Sequence, residues 1–239
     1  MAYQAVFKRY ELKYMLTLEQ KNILLQAMEP YMALDQYGRD TIRNLYFDTP
    51  DYRLIRHSIE KPVYKEKLRL RSYRQAQADS SIYVELKKKY KSVVYKRRLS
   101  MPEREAMAWL LSECPQGPDS QIGREIDYFL HFYQSLRPMI YLSYEREAFY
   151  SRDGSDFRVT FDDHIFCRED RLSLCESADG IPILPEGQVL MEIKTSGGIP
   201  LWMTHALTRE RIFKTSFSKY GTAYRNIILP QLKGGFIHD

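Results

Sequence analysis

Along residues 67–73, Lys67, Arg69 and Arg71 alternate with Leu68, Leu70 and Ser72. Successive side chains of a strand point to opposite faces, so this spacing stands three cations in a row on one side. The alternation recurs. Arg9, Glu11 and Lys13 oppose Tyr10, Leu12 and Tyr14, and Glu85, Lys87 and Lys89 oppose Val84 and Leu86, with Lys88 interrupting the apolar side. Arg158, Thr160 and Asp162 oppose Phe157, Val159 and Phe161, while Glu192 and Lys194 oppose Val189, Met191 and Ile193. Lys96 and Arg98 alternate less cleanly with Tyr95, Arg97 and Leu99, and Tyr144 and Arg146 share a face. This period places strands at residues 7–15, 42–47, 64–74, 81–88, 92–100, 139–150, 158–163 and 189–195.

Helical spacing is confined to a few segments. Thr17 and Gln20 have capping-box spacing and open a helix to about Met28, with Ile23, Leu24, Ala27 and Met28 on one face. A second helix starts near Pro102 and carries Met107, Leu110 and Leu111. Residues 121–136 and 203–213 form two more, and a short one follows Tyr220. Eight strands in runs, with few helices, predict an α+β fold built on a large antiparallel sheet or a closed barrel. No repeat or interdomain linker interrupts the 239 residues, so a single domain is expected.

Composition narrows the chemistry. At 44% hydrophobic the chain can bury a substantial core, yet no run approaches the roughly 20 apolar residues of a membrane span. The N-terminus lacks the apolar stretch of a secretory signal, and Cys114, Cys167 and Cys175 form no CxxC pair. A reducing cytoplasm is the expected location. Net charge is +5, which points to an anionic partner without choosing among nucleic acid, phospholipid and phosphates.

A sheet with one solvated face would alternate in the same way. Charge balance separates the two readings: the polar side is biased to cations on several strands and carries only isolated carboxylates. A barrel lined by Lys and Arg would repel itself when empty and hold a polyanion strongly, with Arg bidentate and Lys a point charge. Phosphoryl transfer generally requires a divalent cation, which hard carboxylates hold. Glu192 and then Glu11, each two residues from a Lys, are the metal candidates. His57, His131, His164, His205 and His238 show no HExxH spacing, and no P-loop sequence occurs.

RYELKY, YFDTPD, EKPVYKEKLRLRSY, VELKKK, YKRR, SYEREAFY, FRVTFD, MEIKT and FSKYG occur in an order that resembles the VTC domain. That is the polyphosphate polymerase domain of the vacuolar transporter chaperone complex, in the CYTH-like triphosphate tunnel metalloenzyme superfamily. The resemblance spans about residues 5–229 of one domain. It implies an eight-stranded antiparallel β-barrel, or tunnel, in which ATP donates its γ-phosphate to inorganic polyphosphate with Mn²⁺ or Mg²⁺. By motif, Lys13, Arg69, Arg71, Lys87, Lys96, Arg146 and Arg158 would line the phosphate path, and Tyr144 would hydrogen-bond a phosphate. Ser218 and Lys219 would close one end, and Glu192, with Glu11, would hold the metal. Arg69, Arg71, Arg146 and Lys219 are the catalytic candidates. The first Glu of the tunnel enzymes' Glu-x-Glu-x-Lys is Arg9 here, which weighs against a second metal and simple triphosphatase chemistry. Rival readings are a triphosphatase and a non-catalytic module for polyphosphate or an inositol polyphosphate. A separate membrane protein is a candidate partner, and nucleic acid is not expected, for lack of an RNA-binding or helix-turn-helix motif.

Overall fold

The computed structural model describes residues 10–91, 93–112 and 117–234. Arg9, Cys114, His238 and the first residues of the expected strands 7–15 and 92–100 lie outside the described residues. The elements in chain order are β1 (Tyr10–Thr17), α1 (Leu18–Met28), β2 (Met32–Asp48), α2 (Arg53–Ile59), β3 (Tyr64–Tyr73), β4 (Ser81–Tyr90) and β5 (Val93–Pro102). Then come α3 (Glu103–Leu110), α4 (Gln121–Tyr133), β6 (Arg137–Ser151), β7 (Arg158–Arg168), β8 (Ile181–Pro182) and β9 (Gln188–Thr195). The chain continues through α5 (Leu201–Arg209), β10 (Lys214–Thr215), α6 (Lys219–Ala223), a π-helical turn (Tyr224–Ile228) and α7 (Leu229–Gly234).

The strands pair in the order β10-β1-β9-β7-β6-β2-β3-β4-β5, with β8 on β7. The α+β class and the antiparallel sheet stand. The expected eight-stranded barrel is borne out only as an antiparallel sheet: the described residues form ten strands, and no pairing among them joins β5 to β10. The two added strands, β8 and β10, are two residues long, too short to leave a period in the sequence.

The chain divides into two compact units. One holds the described residues up to Asp40 with Tyr144–Ile165 and Leu184–Ser218; the other holds Thr41–Ser143, Phe166–Ile183 and the described residues from Lys219 on. In the first unit the apolar sides of β1, β9 and β7 (Tyr14, Leu16, Val189, Met191, Ile193, Val159, Phe161) pack on Leu24 and Met28 of α1 and Met203, Ala206 and Leu207 of α5. In the second, Leu45, Phe47, Leu68, Leu70, Val84 and Leu86 from β2, β3 and β4 pack on Trp109 and Leu110 of α3 and Ile126 and Phe129 of α4. Each such fully buried side chain contributes about 1.5–3 kcal/mol over the exposed state. A one-residue slip would send these groups to the polar face and cations into the core, so burial fixes the register.

Local chemistry explains most boundaries. The Thr17 hydroxyl accepts from Gln20 N and the Gln20 side chain accepts from Thr17 N, both at 3.1 Å, completing the expected capping box. Ser120 starts α4 by accepting from Gly123 N at 3.0 Å. Two elements escape sequence reading. The first ten residues of β2 show no clean alternation, since Leu34 and Tyr37 are exposed and backbone pairing rather than burial holds them. Helix α2 has Tyr52 in the left-handed region at its start (φ 59°) and no cap from that residue. Its free N–H groups are satisfied by Asp48 at the end of β2, which accepts from Leu54 N at 2.8 Å and Ile55 N at 3.0 Å.

Candidate functional site

In both units the helices cover the apolar side of the strands, leaving the charged side on the opposite face. Part of that face is withdrawn from water, while Lys96 and Ser100 remain exposed. Arg71, Glu85, Asp162 and Glu192 are all buried. Burying charges this way is costly unless they are paired or meet a ligand.

In the second unit the antiparallel register builds three cross-strand rows on this face. Tyr46, Arg69, Glu85 and Arg98 form one; Lys67, Lys87 and Lys96 the next; Asn44, Arg71, Tyr83 and Ser100 the third. The rows hold six cations and one carboxylate. That carboxylate, Glu85, is 1% exposed. Its Oε2 accepts from Arg69 Nε at 2.9 Å and Nη2 at 2.7 Å, and its Oε1 accepts from Arg98 Nε at 2.7 Å. Lys96 Nζ lies 2.6 Å from Oε1 and Arg71 Nη1 lies 4.0 Å from Oε2. Arg69 also donates to the Tyr46 hydroxyl at 2.8 Å, and Arg71 Nε to the Asn44 side-chain oxygen at 2.9 Å. Burial works against the Glu85 charge, but Arg69, Arg71, Lys96 and Arg98 outweigh it and hold its pKa far below the carboxylate range. Lost hydration pulls Lys96 down to about 7; Glu85 opposes this and Arg69 and Arg71 add to it. The Lys96 side chain is 40% exposed, so solvent moderates the effect.

The first unit carries a different balance. Lys13 faces Glu192 across the β1–β9 pair, and Glu192 faces Thr160 of β7. Lys13 Nζ lies 3.2 Å from Glu11 and 3.4 Å from Glu192, and it donates to the Phe217 carbonyl at 3.0 Å, beside Ser218. Burial opposes the Lys13 charge, yet Glu192 and Glu11 prevail and its pKa lies above the ordinary value. Arg146 is bidentate on Asp162, both bonds 2.6 Å, and lies 3.6 Å from Glu192. Lys194 lies 3.1 Å from Glu192, and burial pulls its pKa down. Arg146 sits over the buried Tyr144 ring at 5.0 Å and Arg158 over the Tyr150 ring at 4.4 Å. Arg158 Nε and the Thr160 hydroxyl are buried without a hydrogen-bond partner among the described residues.

The expected site residues thus fall on the two polar faces: Arg69, Arg71, Lys87 and Lys96 on one, and Lys13, Glu11, Tyr144, Arg146, Arg158 and Glu192 on the other. Lys219 opens α6, directly after Ser218. The carboxylates that stand isolated along the sequence are ion-pair partners in the fold: Glu85, Asp162 and Glu192 each engage cations, because the pleat places them cross-strand from, or beside, Arg and Lys. Glu11 and Glu192 offer oxygen donors converging on one ammonium, a set that could hold a hard divalent cation completed by phosphate oxygens and water. Among the described residues no cluster of three or more His, Cys, Asp or Glu forms an all-protein metal cage.

Sequence reasoning passed over Glu85 and Asp162 as site members, although both sit in the alternating pattern. It also missed why YFDTPD and FSKYG belong together. Tyr220 donates to Asp48 at 2.9 Å in the interior, and its ring lies 5.0 Å from Tyr46 and 5.9 Å from the Lys67 ammonium. Asp48 therefore ties α2, the end of β2 and the start of α6 together, one residue from Lys219.

The VTC domain model matches residues 8–228. Two solved structures share the fold at low identity. A putative adenylate cyclase from Bacillus halodurans is 16% identical, with TM-score 0.56, covering 93% of this chain and 97% of that one. A putative adenylate cyclase from Vibrio parahaemolyticus is 11% identical, with TM-score 0.51, covering 92% and 98%. Among curated sequences none matches this chain.

Proposed function

The chain belongs to the VTC domain family, and from that premise we propose that it transfers the γ-phosphoryl group of ATP to a terminal oxygen of inorganic polyphosphate. The observation carrying this reading is the partly buried polar face of each unit: one with an excess of cations around the buried Glu85, the other with paired carboxylates beside Arg146. A polyphosphate chain supplies the repeated anionic oxygens that the row Lys67, Lys87, Lys96 and the flanking Arg69 and Arg71 would bind.

In the transfer, the bond from the γ-phosphorus to the β–γ bridging oxygen breaks and a bond to the chain's terminal oxygen forms. ADP leaves with the electron pair. The nucleophile is already an oxyanion, so no general base is required, which suits a face built of Arg, Lys and Glu. In the first unit Arg146, fixed by two bonds to Asp162, would hold phosphoryl oxygens; in the second, Arg69, Arg71 and Lys219 would hold phosphates by charge and hydrogen bonds. Tyr144, Arg158 and Ser218 would add hydrogen bonds to phosphate oxygens. Glu192 and Glu11 would hold Mn²⁺ or Mg²⁺, whose chemistry is to neutralise charge on the phosphate oxygens.

The test is product identity. Protein incubated with ATP and Mn²⁺ should yield ADP and a ladder of long chains on a gel. Free phosphate or pyrophosphate without a ladder replaces this reading with a hydrolase. Calorimetric binding of polyphosphate or an inositol polyphosphate with no turnover under any divalent metal replaces it with a binding module.

A further inference from the structure

The phosphoryl chemistry leaves one cavity unused. It measures about 500 Å³ and opens between α2, α4, the start of β3 and the end of β4, all within the second unit. Leu54 and Phe129 on its wall belong to the hydrophobic core. Glu66 of β3 stands across from Lys88 of β4 on that same core side, so the cavity lies behind the row of Lys67, Lys87 and Lys96. Its volume is that of a small-ligand pocket rather than of a packing fault.

One wall is a continuous run of rings. The Arg53 guanidinium lies 5.4 Å from the centre of the Tyr133 ring, Tyr133 meets Phe132 edge-on at 4.9 Å, and Phe132 stacks with Tyr128 at 6.2 Å. Phe132 and Tyr128 are nevertheless 54% and 69% exposed. Helix α4 already buries Ile126 and Phe129 in the core, so the outer pair is not what holds it down. Large rings beside a cavity and left to water are surplus to folding and available to a ligand.

The charges of the lining select the ligand's sign. Its two carboxylates are engaged within the protein: Glu66 accepts from the Tyr64 and Tyr133 hydroxyls, and Glu125 accepts from Arg97 Nε at 3.1 Å with Lys88 Nζ 3.4 Å away. Lys65 donates to the Ser58 carbonyl at 3.0 Å. Arg53 is exposed, and among the described residues no carboxylate forms an ion pair with it. A cationic ligand would have to displace Lys88 or Arg97, whereas an anion meets Arg53 directly.

We propose that this cavity binds a small planar aromatic molecule carrying one negative charge, its anion on Arg53 and its ring along Tyr133 and Phe132. The site is separate from the phosphate-binding faces and does not depend on which phosphoryl reaction the chain performs.

Three probes of one shape and different charge test it: phenylacetate, the neutral phenylacetamide and the cation phenethylamine, each titrated into the whole chain at neutral pH by calorimetry and saturation-transfer NMR. Phenylacetate should bind about threefold to fivefold more tightly than phenylacetamide, and phenethylamine most weakly. Phe132→Ala, at an exposed position, should weaken phenylacetate by about fivefold to tenfold. Arg53→Gln should bring phenylacetate and phenylacetamide to equal affinity while the ring still binds, a loss of charge preference that misfolding would not produce. Equal affinity for the three probes, no detectable binding, or phenylacetate affinity unchanged in Phe132→Ala overturns the proposal. A dimer of the parent chain that Phe132→Ala dissociates would assign the exposed rings to a second copy and overturn it as well.

Discussion

Replacing Glu85 by Gln is the most informative single change. The amide keeps the shape but removes the only carboxylate in the three rows, leaving Arg69, Lys96 and Arg98 without the counter-charge they touch. Removing one partner of a buried pair costs about 3–5 kcal/mol. Arg98 and Lys96 are 34% and 40% exposed, so solvent screening brings the figure to about 3 kcal/mol. For a chain of this length that is a fall in Tm of about 6–12 °C in the absence of polyanion. Tripolyphosphate supplies the missing negative charge, so it should raise Tm by more in Glu85→Gln than in the parent protein. Its affinity should be about tenfold higher or more, because the carboxylate no longer competes for the same cations. The assay is differential scanning fluorimetry with and without tripolyphosphate, paired with calorimetry. Both proteins should be compared at several pH values, because losing Glu85 draws the Lys96 pKa down further. A tripolyphosphate increment equal in both proteins, or an unchanged Tm without ligand, would refute the view that Glu85 is the counter-ion of a polyanion-binding face.

Three further outcomes follow from the same geometry. Burial pulls the Lys96 pKa down to about 7, so tripolyphosphate affinity should fall as pH rises through that range, with proton uptake on binding at pH 8; Lys96→Arg should remove that step, and a step left in place would contradict the assignment. Glu192→Ala should abolish metal-dependent turnover while tripolyphosphate still binds by calorimetry, since Arg146 keeps its bidentate hold on Asp162; undiminished turnover would exclude Glu192 as the metal ligand. Tyr220→Phe deletes a buried hydrogen bond to Asp48 and should cost about 1.5–3 kcal/mol, read as a shift in the urea midpoint at unchanged slope; no shift would mean that Asp48 is held by its backbone donors alone.

The period-two pattern alone located the cores of β3, β4, β5, β6, β7 and β9, because in a half-buried strand the core face must be apolar at every second residue. The same pattern named the cations of the polar faces, and Thr17 with Gln20 announced α1. What the sequence could not contain was partnership across distance. Asp48 caps α2 from the end of a strand and receives Tyr220 from 172 residues away, so neither the helix nor the link between two motifs has a local signature. Glu85 reads as one acid among lysines until the register brings Arg69 and Arg98 to either side of it. Whether the charged face meets water or is enclosed is equally silent in one dimension, since both give the same alternation. Periodicity is a property of neighbours along the chain, whereas burial and counter-charge depend on which strands and helices pack together, and only the tertiary structure decides that.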